Sequence, residues 1–574
     1  MCSKKNIALL TNVTADLIAA KLKKEYDIYL PEGYDTWIQE VIRPDSGLYS
    51  EKRDAVILLL DGTEARNWKN AAEAQERLDL WKQAAAALAG NMPDIPVFLP
   101  TLDLRESRIR ALSERKHHIE WAADWYAFAQ ELADKHPSVY IYDLADRIAE
   151  TGRSRFYSDK MWYLSSMPYS RDGILAITEE LTGILGSAFK PRRKIAVLDL
   201  DNTRWGGVIG EDGVEGIELS DHKEGQRYYD FQSRLKEMQT RGTVLAIDSK
   251  NNEDDAMRAI REHPDMVLRE ADFVAARINW QDKASNLKSI GEELNLTEGS
   301  FVFIDDNPIE REIVSGECPD AEVPSFPEDT TELNTFAEKL YVRCFRPLRL
   351  LKEDTEKTAM YRTEAKRKAL ESVSLNLDDY ISKLEIEADI HRMKPEELDR
   401  TAQLIGKTNQ FNLTTKRYTA AEIADMASDP ACRIYTVHAK DKYGDSGLVS
   451  VLILKDRDDG QTAGIDTFLM SCRVMGRKLE QVIIDRIAAS CRERGILKMT
   501  GAYIPTAKNA PVKGLYSSLG FQEEKDSQEE KDIESGSGRR TDDAPETGIK
   551  HYSLPIPDYC EKPFDSYKSV HFEP

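Results

Sequence analysis

At 574 residues the chain is too long for one hydrophobic core, which points to two to four domains. It is 41% hydrophobic with a formal net charge of −22, a balance that excludes general binding to nucleic acid or an anionic membrane but leaves room for a local basic patch facing an acidic protein. No apolar run reaches bilayer length, the start "MCSKKNIALL" lacks a signal-peptide layout, and seven scattered cysteines form no CxxC pair, so the expectation is a cytoplasmic protein with reduced thiols and no structural zinc.

Residues 1–190 alternate short β-branched runs with helical patterns. "NIALLTNVT", "DAVILLLDG", "IPVFLPTL" and "SVYIYDL" read as strands, and "ADLIAAKLKKEY" and "NAAEAQERLDLWKQAAAALAG" as helices. Such alternation predicts a mostly parallel sheet covered on both faces. After the basic linker "FKPRRK", a second α/β domain is expected over 191–345, with strands "KIAVLDLD", "GTVLAIDS" and "SFVFIDD". A charged helical connector follows at 346–375. From 376 to 574 the pattern becomes α+β, with antiparallel strands such as "CRIYTVHAKD" and "SGLVSVLILKD". The acidic, polar stretch 522–549 reads as a disordered loop. The fold class is therefore α/β multidomain.

The three middle strands end in polar groups: Asp199 and Asp201, then Asp248 and Ser249, then Asp305 and Asp306. In an open parallel sheet the carboxyl ends of the strands form the ligand crevice. Carboxylates gathered there repel one another unless a cation sits among them, and a hard ion with oxygen ligands, most simply Mg²⁺, satisfies them. One aspartate can then attack phosphorus while another moves a proton. Ser249 and Lys283, at the start of the helix "WQDKASNL", can hold phosphoryl oxygens.

This order of motifs resembles the haloacid dehalogenase (HAD) superfamily. In "DLDNT", Asp199 matches the nucleophile and Asp201 the acid/base, with Thr203 two residues on. Ser249, with Lys250, matches the second motif, Lys283 the third, and Asp305 and Asp306 the fourth. The resemblance implies metal ligation by Asp199, Asp201, Asp305 and Asp306, and phosphate binding by Thr203, Ser249, Lys250 and Lys283.

A narrower resemblance, to the FkbH-like family (HAD subfamily IIIC), rests on "DLDNTRWGGVIGEDG", "NWQDKASNL" and "FVFIDDNPIERE", with "RPDSGLY", "GKTNQFNLTTKRY" and "SCRVMGRKLE" in the flanks. It implies a HAD domain with a minimal cap. Its members transfer the glyceryl group of 1,3-bisphosphoglycerate to the thiol of a holo-acyl carrier protein, releasing phosphate, in polyketide and related pathways. The family usually carries a Cys at the second motif, where this chain has Asp248 in "IDSKNN". A covalent thioester there is impossible. Either the carrier thiol attacks the acyl phosphate directly, or transfer is altered or lost. Asp248 could serve as a base for water, favouring hydrolysis, or point away from the site. Facing an anionic substrate at about 5 Å, an added carboxylate repels it by about 3 kcal/mol before screening.

The first domain resembles an SGNH hydrolase, yet Thr11 and Asn12 stand where the serine belongs and "SSMPYS" lacks the Asp-x-x-His pair. Without an activated nucleophile it reads as a docking scaffold. The last domain resembles the GNAT acetyltransferase fold, in which a strand-to-helix loop cradles the CoA pyrophosphate. Its counterpart, "CRVMGRKLEQ", retains Gly476 but has Lys478 where a second small residue is expected. Arg473, Gly476, Arg477 and Tyr516 are the residues expected to meet a pantetheine arm. Three readings stay open: glyceryl transferase, HAD phosphatase without transfer, and non-enzymatic carrier scaffold.

Overall fold

The computed structural model describes residues 4–574 apart from 69, 110, 351, 507, 525–547, 563 and 564. The chain divides into two compact units, Met1–Gly291 with Leu296–Thr358, and Glu292–Asn295 with Ala359–Pro574. The first unit holds two parallel sheets and the second holds one large, mostly antiparallel sheet, so the chain is an α/β multidomain protein.

The first sheet contains β1 (Asn6–Thr11), β2 (Asp27–Tyr29), β3 (Ala55–Leu59), β4 (Val97–Pro100) and β5 (Val139–Tyr142), in the order β2-β1-β3-β4-β5. Every pairing is parallel. All five residues of β3 are buried, as expected for a sheet sandwiched between helices. Strand β2 has three residues, of which only Ile28 is buried, which is too short a pattern to register in the sequence.

The second sheet contains β6 (Ile195–Leu198), β7 (Val244–Ser249), β8 (Phe273–Ile278) and β9 (Phe301–Ile304), in the order β8-β7-β6-β9 and all parallel. Strand β8 was not expected. Its "FVAARI" carries an Arg and sits at the sheet edge, where burial is incomplete. Strands β6, β7 and β9 lie side by side and bring three polar carboxyl ends to one rim. Between Asp201 and the helix Gln226–Thr240 lie an Asp201–Trp205 bridge, the short helical segment Ile209–Gly216, a Gly206–Glu218 bridge and a 3₁₀ turn, Lys223–Gly225.

The second unit is built on β10 (Glu387–Arg392), β11 (Cys432–Asp441), β12 (Gly444–Asp456), β13 (Thr462–Met470), β14 (Lys498–Tyr503), β15 (Gln522–Glu524), β16 (Lys550–Pro555) and β17 (Ser569–Phe572). Their order is β15-β16-β14-β13-β12-β11-β10-β17. Two pairs, β13·β14 and β10·β17, are parallel. The loop expected over 522–549 begins as strand β15, which pairs with β16, while 525–547 lies outside the described residues. The helix Leu479–Glu493 buries Leu479, Val482, Ile483 and Ile487 against one sheet face.

Tyr516 is a core side chain of this unit. It is 1% exposed and packs against Phe521 and Tyr552 at ring distances of 4.9 and 5.1 Å. Gly501 makes the slot for it, because a Cβ there would lie 2.4 Å from the Tyr516 hydroxyl. Replacing Gly501 with Ala is expected to destabilise the protein by about 1–3 kcal/mol through overpacking. Chemical denaturation measures this, and an unchanged midpoint would contradict the packing described.

Candidate active site

The turn after β6 places Asp199 at the strand tip, where its N–H donates to the Ile304 carbonyl of β9 at 3.0 Å. That bond fixes the height of Asp199 relative to Asp305, which follows β9 by one residue. Carboxylate oxygens of Asp199, Asp305 and Asp306 all lie within 4.8 Å of one another. Asp305 is fully buried and Asp199 is 8% exposed. Lys283, at the first turn of the helix Lys283–Leu294, reaches into this group. Its Nζ lies 3.0 Å from Asp199 Oδ1 and 2.5 Å from Asp305 Oδ2.

Charge is unbalanced here: three carboxylates face one ammonium. Burial, and next the neighbouring Asp199 charge, push the carboxyls of Asp305 and Asp306 above the usual range. Burial works against the Lys283 charge, but Asp199 and Asp305 overcome it and hold that lysine above its ordinary value. Two like charges about 4 Å apart repel by about 4 kcal/mol at an effective dielectric of about 20, so the cluster is a strong attractor for a cation. All donors are oxygen, which selects a hard divalent ion.

The remaining expected residues divide between this cluster and its supports. Asp201 was expected among the metal ligands, and its carboxylate is held by three hydrogen bonds. Oδ1 accepts from Trp205 Nε1 at 2.9 Å and the Ile209 N–H at 3.1 Å, and Oδ2 accepts from Asn251 Nδ2 at 3.0 Å. Thr203 was expected at phosphate. It is 0% exposed, and its hydroxyl donates to Asp306 Oδ1 and accepts from the Asp306 N–H, both at 3.1 Å. Its place is to orient Asp306. Lys250 lies 2.6 Å from Glu310 Oε1, so its charge is already partnered. Ser249, 1% exposed, accepts from Asn251 at 3.1 Å and keeps its own O–H to donate.

Asp248 does not fill the role of a base. It is 0% exposed, Oδ1 accepts from Asn286 Nδ2 at 2.9 Å, and Oδ2 is buried without a partner. Burial pushes its pKa up to about 8, with Asp199 and Asp305 adding to the rise, which favours the protonated acid. A residue at this position is sealed from solvent, and only its protonated form is accommodated there at modest cost. Asn251, Asn286 and Arg311 were missed by sequence reasoning. Arg311 Nη1 donates to the Asp305 and Asp306 carbonyls at 2.7 and 2.6 Å and so clamps the turn.

In the second unit, Gly476 has φ +76°, and Lys478, the N-cap of the helix Leu479–Glu493, adopts φ +58°. Arg477 is not presented to a ligand. It is 5% exposed, its Nη2 lies 3.3 Å from Glu364 and its Nη1 3.4 Å from Asp441, and Arg367 meets Asp441 at 2.7 Å. Arg473 donates to Ser471 Oγ at 3.2 Å. Tyr516, expected beside a ligand, is enclosed in the core as described above. In the first unit Asn12 exchanges hydrogen bonds with the Asp61 backbone at 2.9 and 2.8 Å, so it ties β1 to β3.

No protein-family model matches the sequence, and no curated protein matches it. Among solved structures, the chain is similar to the N-terminal part of BF1531 from Bacteroides fragilis, described as containing a phosphatase domain complexed with Mg. Identity is 27%, the TM-score is 0.54, and the match covers 60% of this chain and 95% of that one. It is also similar, at 14% identity and a TM-score of 0.22, to the ribosomal-protein-S18-alanine N-acetyltransferase of Escherichia coli, over 31% of this chain and 99% of that one. A spermidine N-acetyltransferase from Vibrio cholerae, in complex with CoA and spermine, matches at 14% identity and a TM-score of 0.23, over 30% and 96%.

Two outcomes follow from the geometry. Thr203→Val removes the bond that orients Asp306, and Mg²⁺ affinity measured by calorimetry is expected to fall about tenfold to a hundredfold. Unchanged affinity would show that Asp306 needs no support. Asp248 has a folded pKa raised to about 8, so the stability from burying it uncharged is complete below about pH 4 and is lost as pH rises toward about 8. In metal-free protein, Asp248→Asn should therefore flatten the decline in urea stability between about pH 5 and about pH 8. Parallel wild-type and variant slopes would contradict the assignment.

Proposed function

We propose that the chain is a Mg²⁺-dependent phosphoryl-cleaving enzyme of the HAD type, with Asp199 as nucleophile. The observation that carries this reading is the gathering of Asp199, Asp305 and Asp306 around Lys283 at the carboxyl rim of a parallel sheet. The Mg-bound phosphatase domain of the Bacteroides fragilis protein, at 27% identity, supports it. Asp199, Asp305 and Asp306 would hold the ion, which when bound supplies Lewis-acid stabilisation of phosphoryl oxygens.

The chain's own groups account for the rest. Asp199 attacks phosphorus and takes the phosphoryl group on one carboxylate oxygen, while the leaving group departs with its bonding electrons. Lys283 stays charged and spreads the negative charge developing on the phosphoryl oxygens. The Ser249 hydroxyl can donate to one of them. Asp201, whose oxygens accept from Trp205, Ile209 and Asn251, is held as a proton acceptor and can activate the attacking water in the second half-reaction.

An acyl phosphate suits this site, because its carboxylate leaving group departs without needing a proton. The fuller reading is glyceryl transfer from 1,3-bisphosphoglycerate, or a similar phosphorylated small acid, to the thiol of a holo-acyl carrier protein. It rests on the FkbH-like motifs: the carrier thiol attacks the acyl carbon directly, the acyl C–O bond breaks and the 1-phosphate leaves, while Asp199 takes the 3-phosphoryl group, since the buried Asp248 cannot carry the acyl group. The GNAT-like second unit would receive the carrier or its pantetheine arm, and the first domain would serve as a docking scaffold. Hydrolysis without transfer is the second reading, favoured by the absence of a cysteine at position 248.

Incubation with Mg²⁺, labelled 1,3-bisphosphoglycerate and holo-carrier, read by phosphate release and carrier intact mass, separates the two. A glyceryl adduct supports transfer, and free phosphate with an unmodified carrier supports hydrolysis. Asp199→Asn is expected to lower phosphate release by about a thousandfold or more. Release at the wild-type rate in that variant would overturn the nucleophile assignment.

A further inference from the structure

The second unit holds a cluster of metal-ligating side chains unrelated to the carboxylate site. Strands β10 and β11 pair antiparallel with Asp389 opposite His438 and His391 opposite Thr436, and β17 adds His571 beside Asp389. Ala388 and Ile390 point into the hydrophobic core, so the two-residue period of a strand turns Asp389 and His391 to the other face. The turn Pro395–Glu397 that follows β10 brings Glu397 over this face.

Glu397 is held so that one oxygen is occupied and the other offered. Oε2 accepts from the Lys394 N–H at 3.0 Å and Thr436 Oγ1 at 2.9 Å. Oε1 meets His391 Nε2 at 3.1 Å and His438 Nε2 at 2.6 Å, and the three ligand atoms all lie within 4.8 Å. The two imidazoles stack at 5.4 Å with 19° between planes, so both present the same edge to one point. His391 is 4% exposed, and its Nδ1 is buried without a hydrogen-bond partner. Asp389 Oδ2 stands 3.4 Å from that nitrogen, and Asp389 Oδ1 stands 2.8 Å from His571 Nδ1.

We propose that His391, Glu397 and His438 form a binding site for a divalent transition-metal ion of the zinc class, with Asp389 as the outer carboxylate behind His391. Two imidazole nitrogens and one carboxylate oxygen form a borderline donor set, which favours such an ion over Mg²⁺. Ligands about 2.0–2.1 Å from a tetrahedral ion sit about 3.3 Å apart, so the His391–Glu397 pair needs to open by about 0.2 Å and the His438–Glu397 pair by about 0.7 Å. A carboxylate behind the non-ligating nitrogen of a ligating histidine fixes its tautomer and raises its basicity. The His438 side chain is 36% exposed, which leaves the fourth position to water or a small ligand. Binding requires both Nε2 atoms to give up their protons, so affinity falls in acid.

The test uses full-length, chelator-treated protein with excess Mg²⁺ present, titrated with Zn²⁺ against a chromophoric chelator. One equivalent of Zn²⁺ is expected to bind to the wild type and equally to Asp199→Asn, and His438→Gln is expected to weaken it about tenfold to a hundredfold. A readout that needs no variant is carbethoxylation of His438 by diethyl pyrocarbonate, followed by peptide mass and expected to be blocked by Zn²⁺. No uptake by the wild type, uptake that depends on Asp199 and not on His438, or His438 modification indifferent to Zn²⁺ would each overturn the site and leave only a hydrogen-bonded His–Glu cluster.

Discussion

Like charges forced together at a sheet rim are the constraint on which the first unit is organised. Asp305 is fully buried, Asp199 nearly so, and both press on a single ammonium, Lys283. Such a group costs stability unless its geometry is held from outside, and the surrounding bonds do this. The Asp199 N–H is fixed to β9, Thr203 orients Asp306, and Arg311 clamps the carbonyls of the Asp305–Asp306 turn. The same rigidity keeps the carboxylates together, an arrangement that favours a divalent cation.

What was legible in the sequence were features encoded locally. A buried apolar run that ends in Asp is a strand tip, and three such tips in adjacent parallel strands converge whatever the details of the loops. Side-chain direction was not legible. Asp248 and Ser249 are consecutive on β7, so the strand turns them to opposite faces, one to Asn286 and the other to Asn251. Thr203 was placed at phosphate by the motif resemblance, and its hydrogen bond to Asp306, about a hundred residues on, has no local signal in the sequence.

The second unit shows the same limit more sharply. Arg477 and Tyr516 were chosen by motif position, and both are consumed by packing: an ion network with Glu364 and Asp441, and a slot opened by Gly501. His391 and His438 have no informative spacing. Antiparallel register and one turn residue, Glu397, bring them together, so no linear pattern announces them. In the first sheet, by contrast, the missing serine was visible directly, and Asn12 has become a tie between strand ends.

The most direct test of the account is a crystal structure of the protein with Mg²⁺ and beryllium fluoride, a mimic of a phosphorylated aspartate. The fluoride group is expected on Asp199, with the ion about 2.1 Å from oxygens of Asp199 and Asp305. An ion bound elsewhere, with these carboxylates still closed on Lys283 and Asp199 unmodified, would contradict it.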